Sequence, residues 1–379
     1  MTLSNLYFAQ SYEENREKFR ALIEKVRTYW PNAELESNRI ADGKDDLATD
    51  VILAHPLHEK QRLLLISTGL HGIEGYIGAA IQHLFVDRYL TRLNPQDTGL
   101  LLVHAINPWG MKYRRRVNEH NVDLNRNFIY DQNAAGKSVN PAYDKAFSML
   151  NPQRPLKCNC NPFFYPTLIN KMLVMGPAVF QEAVLYGQYR HPQGLYYGGQ
   201  GFEPSALYFN RLFFETISEY PQILLLDMHS GYGPRYQMTL VNSVYEKRSS
   251  ADLQAKFNYP LVAKTDRQEF YKMQGDMIDY LYQVMQSKYP EKLFFGTSFE
   301  FGTYGDSFRS VVRSLRVMID ENRLYQQGAV NEKFANQVKK NFIELFYPTE
   351  EKWRLKAVQD ADRAFEGILK AEGFIRNKS

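Results

Sequence analysis

Apolar residues recur along the first half of this chain at spacings of two kinds. Residues 12–30 carry them three or four positions apart, which predicts an amphipathic helix. Continuous apolar runs at 50–54, 63–67 and 100–106 are typical of buried strands, and 77–90 returns to helical spacing. Strands that alternate with helices in this way predict an α/β fold whose central sheet is largely parallel.

The second half repeats this alternation after an irregular stretch. Residues 127–203 are rich in Asn, Pro, Gly and Tyr, so we expect a long loop insertion there. A predicted helix at 204–220 then leads into buried strands at 223–228 and 293–299. These strands would extend the same central sheet.

The C-terminal part, from residue 307 onward, has the spacing of three helices. The last of them is highly charged, and we expect a peripheral C-terminal helix over 348–379. Because the chain shows neither an internal repeat nor a flexible linker, we expect residues 1–347 to form a single α/β domain. The predicted architecture is a mixed, largely parallel central sheet flanked by helices, with extra C-terminal helices.

Composition and charge exclude several classes of protein. The chain has 379 residues, 44% of them hydrophobic and 23% charged, as in ordinary soluble domains. A net charge of +4 is too weak to indicate a nucleic-acid partner. No stretch approaches the roughly 20 apolar residues of a membrane span, and the N-terminus lacks the apolar run of a signal peptide. Two cysteines, Cys158 and Cys160, are too few for a disulfide framework. We therefore expect a cytoplasmic location, and the oligomeric state is left open.

Groups that can bind a metal or transfer a proton stand where three of the predicted strands end. His71 and Glu74 follow one strand, His229 follows another, and Glu300 follows a third. In open α/β sheets, functional sites form beyond the carboxyl ends of the strands. A catalytic zinc ion takes three nitrogen or oxygen ligands and keeps one position open for water. For His229 the alternative is a structural histidine bonded to Asp227.

The pair Asn125-Arg126 predicts an anion site. Both residues lie between Leu124 and Phe128, in backbone that should be partly buried. A buried arginine requires an anionic partner, and its planar fork matches the two oxygens of a carboxylate. The neighbouring basic run at 114–116 is equally compatible with a solvated charged surface.

The order of these motifs resembles that of the zinc carboxypeptidase family of metallopeptidases, the carboxypeptidase A-like proteins. Within that superfamily, the chain resembles a bacterial branch of the DUF2817 type. The resemblance covers roughly residues 51–303. It rests on His71-x-x-Glu74, Asn107-Pro108-Trp109-Gly110, Arg116, the segment 122–128, His229-Ser230 and Glu300.

The resemblance implies a metal centre. His71, Glu74 and His229 would bind one Zn²⁺ per chain. Asp123 would hydrogen-bond the first histidine and fix its tautomer. Glu300 would be the general base that takes a proton from the attacking water. Other divalent metals suit two histidines and one carboxylate nearly as well.

The resemblance also implies how a substrate is held. Arg116 would stabilise the oxyanion, and Asn125 with Arg126 would bind the terminal carboxylate. Tyr271 would close over the substrate, and Ile278 would lie near the pocket for the terminal side chain. For Tyr271 the alternative is an ordinary loop tyrosine, because the chain has 26 tyrosines.

The implied activity is zinc-dependent hydrolysis of an amide or peptide bond next to a free carboxylate, as in a metallocarboxypeptidase. The partner would be a peptide or N-acyl amino acid. Two alternatives stay open. One is a deacylase of the aspartoacylase or succinylglutamate desuccinylase type, acting on N-acyl amino acids. The other is a catalytically inactive binding protein of the same fold. The match at Tyr271 and the turn Asn107-Pro108-Trp109-Gly110 favour the peptidase.

Overall fold

One mixed sheet runs through the centre of the molecule. The computed structural model describes residues 7–40, 46–130, 140–157, 164–265 and 273–375. Within these ranges eight strands form the sheet, in the order β1-β2-β4-β3-β5-β8-β6-β7. The strands are β1 (Glu34–Arg39), β2 (Ala48–Ala54), β3 (Arg62–Thr68), β4 (Thr98–His104), β5 (Gln222–Ser230), β6 (Met238–Asn242), β7 (Val262–Lys264) and β8 (Leu293–Phe301).

The middle of the sheet is parallel and its flanks are antiparallel. Strands β4, β3, β5 and β8 pair in parallel, whereas β2 pairs antiparallel to β4 and β6 antiparallel to β8. The predicted mixed, largely parallel α/β sheet is therefore confirmed. In the pairing of β5 with β8, His229 lies directly opposite Glu300. The carboxyl ends of β3, β5 and β8 thus bring the candidate residues to one edge.

Helices cover both faces of the sheet. They are α1 (Tyr12–Arg27), α2 (Gly75–Arg88), α3 (Pro108–Lys112), α4 (Pro141–Leu150), α5 (Phe164–Met175), α6 (Pro177–Leu185), α7 (Pro204–Ile217), α8 (Ser250–Phe257), α9 (Met277–Lys288), α10 (Phe308–Gln327), α11 (Glu332–Phe346) and α12 (Glu351–Ala371). On one face α1, α2, α8 and α12 enclose the largest buried cluster. On the other, α7 and α9 enclose a second. A third cluster joins α4, α5, α6, α10 and α11 beside the carboxyl ends of the strands.

The predicted loop insertion at 127–203 is wrong over much of its length, because it contains α4, α5 and α6. Some of the Asn and Pro residues that suggested a loop stand at helix starts. The Asn140 side chain caps α4 by accepting from the Tyr143 amide, and Pro141 follows at the first helical position. Pro177 has the same position in α6. Cys158, Cys160 and Tyr271 lie outside the described residues.

The prediction of a peripheral C-terminal helix is also wrong. Helix α12 packs on the largest cluster, with Trp353 only 1% exposed and Phe365 and Ile368 fully buried. The Trp353 indole donates to the carbonyl of Gly302, just after β8, at 2.8 Å. Most of the charged residues of α12 occupy its outer face, although Arg354 and Asp360 are buried, and apolar residues at helical spacing form the inner face. Charge content alone therefore misled the interpretation.

No single helix among the described residues is long and apolar enough to cross a membrane. Helices α5 and α6 reach that length and apolarity only when they are taken together, and they are bent by 112° at the break between them.

Candidate metal centre and active site

One turn and one strand end position the three candidate metal ligands. His71 and Glu74 bracket a short 3₁₀ turn that follows β3, and His229 lies near the end of the neighbouring β5. The turn packs closely on α3, because a Cβ on Gly72 would lie 2.1 Å from the carbonyl carbon of Gly110. One nitrogen or oxygen atom from each of His71, Glu74 and His229 lies within 4.8 Å of the others, and all three side chains are buried.

The ring nitrogens of the two histidines have different surroundings. Nε2 of His229 lies 2.6 Å from Asp227 Oδ2, and Nε2 of His71 lies 3.0 Å from Asp123 Oδ1. The Nδ1 atoms face Glu74, at 2.9 Å for His229 and 3.0 Å for His71. Nδ1 of His71 is buried and makes no hydrogen bond. A metal ion would satisfy this nitrogen, with Asp123 and Asp227 orienting the rings, so the donor set fits zinc.

The electrostatics of the centre favour a divalent cation. Burial alone would raise the pKa of Glu74, but His71 and His229 outweigh it and hold the pKa well below its ordinary value. Burial likewise opposes ionisation of Asp123, yet Arg116 and His71 hold its pKa well below the usual range. For His229, burial would lower the pKa, but Asp227 and Glu74 raise it well above 6.5. A metal must displace that proton, so metal affinity should fall with falling pH.

Only one arginine of the run at 114–116 lines the cavity beside the metal centre. Arg116 donates to Glu74 Oε1 and Asp123 Oδ2, both at 3.1 Å, and its Nη2 lies 2.7 Å from His71 Nε2. Arg115 is instead paired with Glu321 at 2.7 Å. The guanidinium of Arg116 thus contacts the candidate ligands themselves, and its predicted oxyanion role stays a prediction.

Glu300 lies across the strand pair from His229. Its Oε1 accepts from the backbone amide of Tyr232 at 3.0 Å. Burial, and then the negative charge of Glu74, raise the pKa of Glu300 to about 8. A carboxyl group that exchanges its proton near neutral pH suits general acid–base chemistry, and a cation at the two histidines would lower this pKa.

A cavity of about 390 Å³ is lined by His71, His229, Glu300, Asn125 and Arg126. Arg126 is only 1% exposed, and its guanidinium donates to the carbonyls of Asn125 and Leu185 at 2.9 and 2.8 Å. Its Nε has no partner, and no carboxylate of the described residues lies within 4.0 Å. A buried guanidinium whose Nε donor is unused can bind an anionic ligand.

The side chain of Asn125 bonds to the start of α9, and its predicted carboxylate-binding role stays a prediction. Its Nδ2 donates to Asp276 Oδ2, and its Oδ1 accepts from the Met277 amide, both at 2.9 Å. The side chain therefore holds the start of α9, where Asp276 is the N-cap. Ile278, in the first turn of α9, lines the cavity, and its place near a terminal side chain stays a prediction. Nothing in the sequence indicated that Asn125 contacts Asp276, which lies 151 positions away.

A polar end of the cavity was missed by the sequence analysis. Asn242, at the end of β6, is fully buried, and its Oδ1 has no hydrogen-bond partner. Ser243 and Thr265 line the cavity beside it and donate to Asp279. These residues are ordinary polar residues of strand ends and loops, and nothing in their spacing marks them.

The sequence profile of the family described as "Protein of unknown function (DUF2817)" matches residues 8–360. The chain belongs to this family. The match confirms the DUF2817 prediction that was made from the motifs. No curated protein matches the sequence.

Several solved structures match at low identity. Bovine thrombin-activatable fibrinolysis inhibitor is 15% identical, with a TM-score of 0.44, over 88% of this chain and 98% of that one. Carboxypeptidase A from Helicoverpa armigera is 15% identical, with a TM-score of 0.43, over 93% of this chain and 74% of that one. An aspartoacylase family protein from Mesorhizobium loti is 16% identical, with a TM-score of 0.37, over 79% of this chain and 68% of that one.

Proposed function

We propose that this chain is a zinc-dependent hydrolase that cleaves an amide bond next to a free carboxylate. The observation that carries the proposal is the set of three buried ligands within 4.8 Å, in which Nδ1 of His71 lies 3.0 Å from Glu74 and makes no hydrogen bond. Two further groups support it. Glu300 lies beside His229 in the sheet, and the unpaired Arg126 adjoins the same cavity.

His71, Glu74 and His229 would hold the zinc ion. Two nitrogens and one carboxylate, with a remaining position for water, are the donor set of catalytic rather than structural zinc. When bound there, zinc supplies Lewis-acid polarisation of a carbonyl and lowers the pKa of water.

The chain's own residues would then carry out the hydrolysis. Arg126 orients the substrate by pairing with its carboxylate through the guanidinium fork. Glu300 accepts a proton from the attacking water and delivers it to the leaving amine nitrogen. Arg116 donates to the carbonyl oxygen as that oxygen gains negative charge. The metal ligands and Arg126 are buried, and their surroundings of low dielectric constant strengthen these electrostatic interactions.

Paired substrates test the proposal. Short peptides and N-acyl amino acids, each with a free and an amidated carboxylate, are offered to the zinc-loaded protein and to its Glu300→Gln variant. We expect hydrolysis of the free forms, about 100-fold slower hydrolysis of the amidated forms, and loss of activity in the variant. Equal rates on both forms, or full turnover by zinc-loaded Glu300→Gln, would contradict the proposal.

The same assay separates the open alternatives. Faster hydrolysis of peptides would indicate the carboxypeptidase, and faster hydrolysis of N-acyl amino acids would indicate the deacylase. Binding of both free-carboxylate forms without any turnover would indicate the inactive binding protein.

A further inference from the structure

One wall of the cavity consists of apolar side chains on three helices. Residues of α5, α6 and α10 form it, among them Leu168, Met172, Phe180, Val184, Val312 and Met318. The backbone groups of these residues lie within helices, where they are bonded to one another. The wall therefore offers a ligand mainly apolar contact, and Gln181 and Ser314 are the polar side chains that these helices contribute to the lining. Its two methionines are flexible enough to adapt to a ligand of variable length.

The apolar surface continues from the cavity to the outside of the molecule. Phe308 and Val311 line the cavity and are 64% and 40% exposed, so they mark its mouth. On α5, Leu173 follows the wall residue Met172 and is 79% exposed. Helices α5 and α6 carry a single charged residue each, Lys171 and Glu182. An apolar path that begins beside a polar site and ends in solvent points to an amphiphilic ligand.

The chemistry of this wall distinguishes an acyl chain from a peptide. A peptide laid along it would bury an N–H and a C=O group for each residue, and burying such groups unpaired is unfavourable. A hydrocarbon chain has no such groups. Both kinds of substrate could pair a carboxylate with Arg126, so the wall is the feature that separates them.

Building on the proposed function, we propose that the substrate is an N-acyl amino acid with a long, unbranched acyl chain. The carboxylate of the amino acid faces Arg126, the amide lies at the metal ligands, and the chain extends along the wall formed by α5, α6 and α10. Hydrolysis adds water across the amide bond and releases a fatty acid and a free amino acid. No other reactant is needed.

A chain-length series tests the proposal by binding. Acetyl, butanoyl, hexanoyl, octanoyl, decanoyl and dodecanoyl derivatives of one amino acid are titrated calorimetrically, below their micelle concentrations, into zinc-loaded Glu300→Gln protein. Affinity should rise about fourfold for each methylene that the cavity accommodates, which corresponds to about 0.8 kcal/mol. An affinity that does not change along the series would overturn the acyl-chain proposal and leave the proposed hydrolase intact.

Neighbouring positions on α5 give a matched pair of variants in the same Glu300→Gln background. Met172→Glu places a charge in the wall and should reduce the gain to about twofold or less per methylene. Leu173→Glu places the same charge at the next position, where the side chain faces solvent, and should keep the fourfold gain in affinity per methylene. Unchanged zinc content in both variants, and unchanged acetyl affinity in Leu173→Glu, would show that the site is intact.

Two other outcomes distinguish the sources of failure. If Leu173→Glu removes the chain-length dependence and Met172→Glu does not, the outer face of α5 binds apolar molecules and the wall does not. Binding to phosphatidylcholine vesicles, lost in Leu173→Glu, would then identify a lipid surface and overturn the acyl-chain proposal. If no member of the series binds, acetyl included, the proposed carboxylate site itself is wrong and the acyl-chain proposal falls with it.

Discussion

Asp279 makes the stability of this protein depend on pH in a predictable direction. Its carboxylate accepts from Ser243 at 2.5 Å and lies near Asp276, the N-cap of α9. Burial, and then the negative charge of Asp276, raise the pKa of Asp279 from 3.8 to about 7. Between these two values the folded protein keeps a proton that the unfolded chain has lost. The free energy of unfolding therefore falls as the pH rises through this range.

The size of the effect follows from the shift. Each pKa unit corresponds to about 1.4 kcal/mol, so a shift of about three units has a ceiling of about 4 kcal/mol. Because part of the range lies below pH 5, we expect the wild type to lose about 2–3 kcal/mol from this group between pH 5 and pH 8. The Asp279→Asn variant does not titrate there and should lack this loss.

Denaturant unfolding of both proteins at intervals from pH 5 to pH 8 measures the difference directly. Asp252→Asn is the matched control, because Asp252 has the same third position in α8 and is exposed. Hydrogen bonds from Ser249 lower the pKa of Asp252, so it stays ionised throughout this range. Its variant should parallel the wild type. Parallel profiles for the wild type and Asp279→Asn would refute the reasoning.

Two further predictions concern the site. Asp227→Asn should weaken zinc binding by about 10–100-fold, measured by competition with a chelator. The control Ser67→Ala removes only the donor to Asp227 Oδ1 and should weaken zinc binding less. Equal zinc affinities in the two variants would contradict the orienting role of Asp227. Arg126→Met should raise KM about 100-fold for substrates with a free carboxylate and change it little for amidated ones, and an equal loss on both would show that Arg126 does not read the carboxylate.

The sequence predicted the part of the fold that depends on continuous apolar runs. Strands β3, β5 and β8 are buried for most of their length, so their residues had no reason to alternate. The polar residues that end them stood out for that reason. Strand β1 was missed because it is an edge strand of mostly exposed polar residues. Strand β7 has three residues and leaves no pattern to detect.

Some residues of the candidate site could be predicted from the sequence, and others could not. His71, Glu74 and His229 were predictable because adjacent strand ends place them and their chemistry is specific. The wall formed by α5, α6 and α10 was not, because its residues are apolar and because α5 and α6 belong to a stretch that resembled a loop. The contact of Asn125 with Asp276 depends on tertiary packing, and spacing within the chain carries no information about it.

Metal content is the measurement that tests the central claim most directly. The protein is purified without chelator, supplied with zinc and analysed beside His71→Ala, His229→Ala and the control His120→Ala, which removes an exposed histidine paired with Glu203. The account predicts about one zinc per chain in the wild type and the control, and loss of that zinc in the other two variants. No bound zinc in the wild type, or full zinc content in His71→Ala and His229→Ala, would contradict it.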